Sequence, residues 1–310
     1  MCEMSRICAI GANVYDTLIL LPEYPREDTK LAVDSIRVSG GGPSATGLVA
    51  AAKLGSAVGV MTEFIGSVAD DERGKYLLDD FRRRSVGVDN ITVEKDCESF
   101  CSFVMLSAET KTRTCVFHRG SKPPLVLNAS QLGAVKSADI LMVDGNELDA
   151  AIDGARAIHS VGGKVLYDAG GLYKGIERLL PEVDILIPSE EYALGFTGCD
   201  NADDAAKRLY EQFSPEVVVI TQGKRGGIVY AGDEIMSYPI IDTVVVDSNG
   251  AGDVFHGAYA FALTQGYDYY KCALFASATS SLKCTRVGAR DAVPTLNEVK
   301  NILKENGYEL

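Results

Sequence analysis

The chain of 310 residues contains no tryptophan and only three histidines, His118, His159 and His256, at no common ligand spacing, so a histidine-built metal centre is not expected. No stretch approaches the ~18 uninterrupted apolar residues of a membrane helix, since the most apolar segment, 47–61, is broken by Lys53 and Ser56. The apolar residues 7–10 after Arg6 are too few for a signal-peptide core, and the expectation is a cytoplasmic chain with no membrane partner. Positive charge is in the minority, 30 basic against 43 acidic residues for a net −13, which repels phosphodiester backbones and argues against nucleic acid as a partner. The eight cysteines, among them Cys2, include no Cys-x-x-Cys pair and read as small buried apolar side chains in a reducing compartment. Gly74-Lys75, Gly163-Lys164 and Gly223-Lys224 are never followed by Ser or Thr, so no P-loop is present. Gly-x-Gly-x-x-Gly, His-Glu-x-x-His and Gly-x-Ser-x-Gly are missing too, which removes the main support for dinucleotide, zincin and nucleophile-elbow readings.

Apolar types make up 46% and charged types 24% of the residues, as in folded globular chains. Arg6 to Ala12 reads as a first buried strand. Segments 14–21 and 30–38 read as extended pieces around a turn at 22–29, and a second group falls at 91–94, 99–106 and 112–117 with its turn at 107–111. Their partly polar alternation suits a small sheet with one wet face. Short apolar strands at 58–65, 140–143, 164–167, 185–187, 217–221 and 228–230 alternate with helical patterns at 42–54, 148–159 and 202–212. Such alternation predicts a mostly parallel sheet covered on both faces, with ligands at the carboxyl ends of its strands. No linker or repeat interrupts it, so residues 1–310 read as a single α/β domain with β excursions at about 14–38 and 92–118.

Three glycine-rich clusters carry the chemistry. In the segment 244–257, a β-branched run, Val244-Val245-Val246, is predicted to be a strand leading into Gly250-Ala251-Gly252-Asp253 and a small-residue helix. Consecutive backbone N–H groups at a helix N-terminus form an anion hole. Asp253 in the first turn fits a helix-dipole partner worth ~1 kcal/mol. It fits equally a general base that takes a proton from an attacking hydroxyl while the amides hold phosphoryl charge. The second cluster, 39–47 with Gly40, Gly41 and Gly42, precedes the Ala-rich helix and permits either close backbone approach to a ligand or simply a tight turn. The third, 217–227, is a buried strand ending in a basic, glycine-bounded turn, which suits a plain hairpin or a phosphate and ribose site.

Taken together the clusters resemble the ribokinase-like (PfkB) carbohydrate kinase family, in order and spacing from Gly11-x-Asn13-x-x-Asp16 to Thr285-Arg286-x-Gly288-Ala289. The resemblance implies a three-layer α/β/α ribokinase-like core with a small β-sheet lid. It implies ATP- and Mg²⁺-dependent phosphorylation of a monosaccharide or sugar-like primary alcohol, by a homodimer paired through its lids. By resemblance Asp253 is the base and Gly250, Ala251 and Gly252 form the anion hole. Asn13, Asp16, Gly41, Gly42, Thr46, Asp144 and Asn146 fall at the substrate positions. Ser189, Thr221, Gly223, Gly226 and Ser277 fall at the ATP positions. Asp247 and Asn249, with the Gly288 segment, fall where many members bind a monovalent cation such as K⁺.

The match has departures. Thr46 stands where many sugar kinases carry Asn, and Asn249 where Thr is frequent. The Mg²⁺-linked Asn-x-x-Glu motif reads Ser189-Glu190-Glu191-Tyr192, leaving Glu190 or Glu191 to order metal-bound water. Within the family the spelling of the glycine motifs is most similar to the sulfofructose kinases. The positions that read the anion in those relatives are Phe117 or His118 and Asn146 here, so their substrate does not carry over. Lys30, Arg113 and Arg119 suit either the mouth of a site for an anionic sugar or a solvated lid edge. His118 is expected to face the substrate, and His159 and His256 to pack beside the core or cap a helix. A sugar-phosphate kinase, a nucleoside kinase and a non-catalytic sugar-binding protein remain as alternatives. A nicotinamide-dependent oxidoreductase lacks its fingerprint after the first strand.

Overall fold

A computed structural model describes residues 4–110, 112–232 and 234–309; Cys2 and Lys111 lie outside the described residues. In chain order the elements begin with β1 (Arg6–Ile10), β2 (Val14–Leu21), β3 (Ser35–Gly41), α1 (Pro43–Gly55), β4 (Met61–Phe64), β5 (Gly66–Ala69) and α2 (Glu72–Arg83). Next come β6 (Ile91–Glu94), β7 (Cys101–Ser107), β8 (Arg113–His118), α3 (Ala129–Lys136), β9 (Ile140–Val143), α4 (Leu148–His159) and β10 (Lys164–Ala169). Then β11 (Ile185–Pro188), α5 (Glu190–Thr197), α6 (Ala202–Phe213), β12 (Val217–Thr221), β13 (Gly227–Ala231) and β14 (Glu234–Tyr238) lead to α7 (Ala251–Thr264), α8 (Tyr269–Cys284) and α9 (Leu296–Glu305).

Among the described residues the main sheet has the order β14-β13-β12-β11-β10-β9-β1-β4. It is parallel from β4 to β12, and β13 and β14 close it antiparallel. Alternate residues of each strand enter opposite cores. Ile7, Met142, Leu166, Ile187 and Val219 pack with α1, α7, α8 and α9. Cys8, Leu141, Val165, Leu186 and Val218 pack with α3, α4, α5 and α6. Burial on both faces is why these strands read as continuous apolar runs, and the result is the expected three-layer α/β/α core. No helix among the described residues is long and apolar enough to cross a membrane.

The lid is a second sheet, β3-β2-β7-β8, in which β2 pairs antiparallel with β3 and parallel with β7, and β8 closes the edge. It lacks one expected strand. Residues 91–94 form β6, which pairs with β5 in a separate two-stranded sheet, because the partner of an isolated short strand is set by tertiary packing rather than by its own pattern. The expected strand at 58–65 divides at Ile65 into β4 and β5. Val244-Val245-Val246 is not a strand. These side chains are exposed, and the backbone there is held by Val246 N and Asp247 N donating to the Cys284 carbonyl at 2.8 and 3.1 Å.

Side-chain caps close most helix N-termini: Asp71, Asn128, Ser189, Asn201, Asp268 and Thr295 cap α2, α3, α5, α6, α8 and α9. Helices α1 and α7 start instead on glycines of positive φ, Gly42 at 98° and Gly250 at 74°, with no side-chain cap. The two cross through Gly47 and Gly257, where a Cβ on Gly257 would lie 1.8 Å from the Gly47 carbonyl oxygen. Glycine at this crossing lets both uncapped N-termini open toward one cleft.

Candidate active site

The cleft lies at the carboxyl ends of the parallel strands, beneath the lid, and has two lobes. A cavity of 530 Å³ under the lid is walled by Asp16, Ser102, Arg113, Arg119, Asn146 and Asp253 among others. A second, of 380 Å³, lies between the β12–β13 turn and α8, against Thr221, Gly223, Gly226, Ile241, Phe255 and Ser277. Thr221, Ser248, Ala251 and Gly252 border both lobes, so the open N-terminus of α7 stands at the junction. Of the expected anion-hole donors, Ala251 N is engaged by the Ser248 carbonyl at 3.2 Å, which leaves the neighbouring first-turn N–H groups and the helix dipole to favour an anion there.

Asp253, in the first turn of α7, faces the lid lobe. Loss of water at the cleft floor pushes its carboxyl above the usual range, while the charges of His256 and Arg113 pull it down. Asp16 approaches from β2, where Ser102 on β7 donates to its Oδ1 at 2.6 Å. Burial raises Asp16 as well, against that hydrogen bond and the charge of Arg290. Gly41 is what admits this carboxylate, since a Cβ at Gly41 would stand 1.9 Å from Asp16 Oδ2. Gly42 lines the same lobe beside Ala12, whose carbonyl oxygen a Cβ there would meet at 2.1 Å.

Asp144, just beyond β9, lines the cavity, yet its oxygens are committed to the chain. Oδ2 accepts from the N–H groups of Ala12 at 2.9 Å and Ser44 at 3.1 Å. Oδ1 accepts from the backbone and side-chain nitrogens of Asn146 at 3.0 and 3.1 Å. It thus ties the start of the lid to the start of α1. Asn146 Oδ1 in turn accepts from Arg119 at 2.9 Å.

Asn13, Gly41 and Thr46 do not reach the cavity wall. They surround Arg290, which is buried and donates to Asn13 Oδ1 at 3.2 Å, Gly41 O at 2.7 Å, Thr46 Oγ1 at 3.4 Å and Asp80 Oδ2 at 2.7 Å. Asn13 Nδ2 is buried without a partner. Of the cations expected at the mouth, Arg113 and Arg119 line the lid lobe, while Lys30 is exposed elsewhere. His118 points away, exposed beside Glu98, and His159 bonds Asp184 at 2.8 Å on the surface.

At the second lobe, Ser189 caps α5 and its backbone bridges to Thr221. Both oxygens of Glu190 are taken, Oε1 by Gln222 Nε2 at 2.8 Å and Oε2 by Arg225, so Glu190 does not fit the expected metal role. Among the described residues no group of three acidic, His or Cys side chains is arranged to hold a metal. Ser277 Oγ donates to the Pro239 carbonyl at 2.7 Å. Asp247 Oδ1 accepts from Asn249 N and Oδ2 from Gly288 N, both at 2.8 Å, and Asn249 Oδ1 accepts from Arg113 at 3.0 Å.

Sequence reasoning missed two features. Arg290 stands one residue past the recognised Gly288-Ala289 segment, and its meaning comes from partners more than 200 positions away. Asp168, at the end of β10, lines the lid lobe and faces His256; its only sequence signal is an acidic residue at the carboxyl end of a buried strand. The expected burial of the cysteines holds for Cys8, Cys101, Cys272 and Cys284, while Cys115 is exposed on β8. All seven described cysteines are free thiols.

An uncapped helix N-terminus joining two lobes, with a carboxylate beside it and a β lid above, defines an α/β phosphotransferase acting on a small molecule. The chain belongs to the pfkB family of carbohydrate kinases, whose family model matches residues 4–296. It is 27% identical to the ribokinase of Bacillus subtilis over 306 residues, 97% of this chain and 100% of that one. It is 24% identical to a bifunctional ribokinase/ribose-5-phosphate isomerase A of Fructilactobacillus sanfranciscensis, covering 98% of this chain and 57% of that protein. The structure of Arabidopsis thaliana ribokinase complexed with ribose and ATP superposes with a TM-score of 0.84 at 23% identity, covering 97% of this chain and 99% of that one.

Proposed function

We propose that this protein transfers the γ-phosphoryl group of ATP to a primary hydroxyl of a monosaccharide or close relative held under the lid. The observation that carries this reading is the position of the uncapped α7 N-terminus, between a lobe that suits a nucleotide and a lobe that holds Asp253. The nucleotide lobe offers an apolar wall at Ile241 and Phe255 for a base and the Gly223–Gly226 turn for ribose and phosphates. Asp253 accepts the proton as the hydroxyl oxygen bonds to phosphorus and the bond to the ADP oxygen breaks. The amides of Gly250 and Gly252 hold the charge that spreads over the transferring group, Ala251 N being engaged by the Ser248 carbonyl. Asp16, on the lid, accepts hydrogen bonds from sugar hydroxyls. Glu190 does not fit as a ligand of Mg²⁺, and a divalent ion would arrive on the nucleotide phosphates, its common mode of binding.

A specific observation favours an acceptor that itself carries an anionic group, as in a sugar-phosphate kinase. Arg113 and Arg119 face the lid lobe of a chain with 43 acidic residues, yet among the described residues neither has a carboxylate partner. Each donates to a neutral amide, Asn249 or Asn146. Arg119 is held over Phe100, Phe117 and Tyr173, 5.6, 5.7 and 6.0 Å from their ring centroids. Rings occupied in this way are not free to stack a nucleobase, which disfavours a nucleoside acceptor.

The outer face of the lid supports pairing with a second copy. Val38, Thr17, Phe103 and Val116 run across its four strands in register, and Val38, Phe103, Val116 and the nearby Ile36 are exposed. Light scattering would show a species of twice the chain mass, and a monomer at micromolar concentration would refute the pairing. The free thiols fit a reducing compartment such as the cytoplasm.

The test of the reaction is ADP release from MgATP with free sugars, sugar acids, sugar phosphates and nucleosides, with Asp253→Asn as control. Turnover lost in the variant supports the reading. Sugar binding without turnover by the wild-type protein would make it a binding protein instead.

A further inference from the structure

Behind the loop that carries the anion hole lies a charge with no part in the scheme above. Lys283, in the last turn of α8, is fully buried, and its Nζ donates to the carbonyl oxygen of Asp247 at 2.7 Å. Lysine is almost never fully buried unless paired, because the bare ammonium loses its hydration. Burial holds this ammonium below the usual lysine range and the charge of Arg113 adds to that, while the charges of Asp247 and Asp253 pull the other way and the helix C-terminus favours a cation.

The same region is knitted into the loop at several points. The Cys284 carbonyl accepts from Val246 N and Asp247 N. Asp247 Oδ2 accepts from Gly288 N, and Ser280 Oγ donates to the Ala251 carbonyl at 2.8 Å. Lys283 therefore sits inside the seam that sets where Gly250, Ala251 and Gly252 point.

These are also the residues at which the family resemblance places a monovalent cation, and they do not fit one. Each carboxylate oxygen of Asp247 is taken by a backbone N–H, and its carbonyl oxygen by an ammonium. An alkylammonium head carries the same single charge as K⁺ and binds the same carbonyl oxygens. We propose that Lys283 is a covalently attached replacement for that cation: a positioning residue that holds the Asp247–Gly252 loop in its anion-binding form and frees the protein from any need for K⁺. The effect on rate rests on the kinase reading; the occupancy of the site does not.

Two measurements on the wild-type protein and one on a variant test this. Crystals soaked in Tl⁺, an anomalously scattering mimic of K⁺, are expected to show no Tl⁺ at the Asp247 carbonyl. A bound ion there overturns the proposal whether or not the protein is a kinase. With a working acceptor, replacing K⁺ by tetramethylammonium is expected to change kcat by less than about twofold, and activation by K⁺ of about tenfold or more, the scale of one lost electrostatic contact, overturns it. Lys283→Met, if it folds, is expected to lose at least about tenfold in kcat on the same scale and to regain it with K⁺ or NH₄⁺. A variant as active as the wild type without added cation also overturns the proposal. Should Lys283→Met fail to fold, the two wild-type measurements decide.

Discussion

His256 and Asp168 face each other in the wall behind Asp253, with Nδ1 3.2 Å from Oδ2. Nδ1 also lies 2.7 Å from the Gly252 carbonyl oxygen, and Nε2 lies 2.9 Å from that of Ile187. The ring spans these two carbonyls and so ties the first turn of α7 to β11. Burial pushes the Asp168 carboxyl upward, and the charge of His256 pulls against it.

Asp253→Asn is expected to lower kcat by ~10²–10⁴, the usual contribution of a general base. Its effect on stability has the opposite sign. Burial raises the folded-state pKa of Asp253, so the stabilising contribution of its protonated form is complete only below the unfolded value of about 3.9 and is lost as pH rises. At neutral pH the amide removes a poorly solvated charge, and the variant should melt higher than the wild type. The gap should close in acid. Thermal melts across pH check this, and an equal or lower midpoint at neutral pH counts against a desolvated carboxylate.

Asp80→Asn is expected to destabilise the fold by about 3–5 kcal/mol, because Arg290 is left buried without its counter-ion. Burial pushes the Asp80 carboxyl upward, but the guanidiniums of Arg290 and Arg84 outweigh it and hold it below the usual range. The stabilisation is therefore present above the unfolded value, ~3.9, and is lost as pH falls below it. Urea titrations should show the deficit of the variant shrinking in acid. A deficit that does not change with pH would assign the loss to packing.

Arg119→Gln is expected to raise KM for an anionic acceptor by about 10- to 100-fold, the worth of one charge-assisted hydrogen bond, with little effect on a neutral sugar. The ratio of kcat/KM for a sugar phosphate and its parent sugar measures this. An equal loss for both would place Arg119 in the lid framework, held by its rings, rather than on the substrate.

Gly257→Ala is expected to cost more than Gly47→Ala. The added methyl of the first meets backbone, the Gly47 carbonyl oxygen at 1.8 Å, whereas the second meets chiefly the flexible Met142 Cε at 2.8 Å. Overpacking costs ~1–3 kcal/mol where side chains can yield, so Gly257→Ala should exceed that range in denaturant titration. The reverse order would mean that α1 and α7 separate more easily than their contact implies.

Much of the architecture is local and therefore legible. Ile140–Val143, Val217–Thr221 and Leu148–His159 begin and end where their patterns do, because burial on two faces or one writes a continuous or a periodic apolar code. Residues 91–94 and 244–246 misled for a common reason. Short β-branched segments do not specify a partner, and one paired outside the lid while the other paired with no strand. At the site, the resemblance named Asp16 and Asp253, and both line the cavity under the lid. It did not show that Thr46 and Asn13 turn toward Arg290, nor that Asp168 meets His256, since those contacts join segments far apart in the chain.

The lid leaves the core at Ala12 and β3 returns at Gly42, and the one carboxylate of Asp144 grips both ends of that excursion. In engineering terms this hairpin is a cassette on that clasp, with Arg290 fastening Asn13 and Gly41 beside it. The side chains proposed to meet the acceptor, Asp16, Ser102, Arg113 and Arg119, lie on or beside lid strands, and the apparatus proposed for phosphoryl transfer on α7 lies wholly outside them. Retargeting such a protein to a new acceptor is thus a matter of rewriting one face of a small sheet, with the clasp and α7 left as they are.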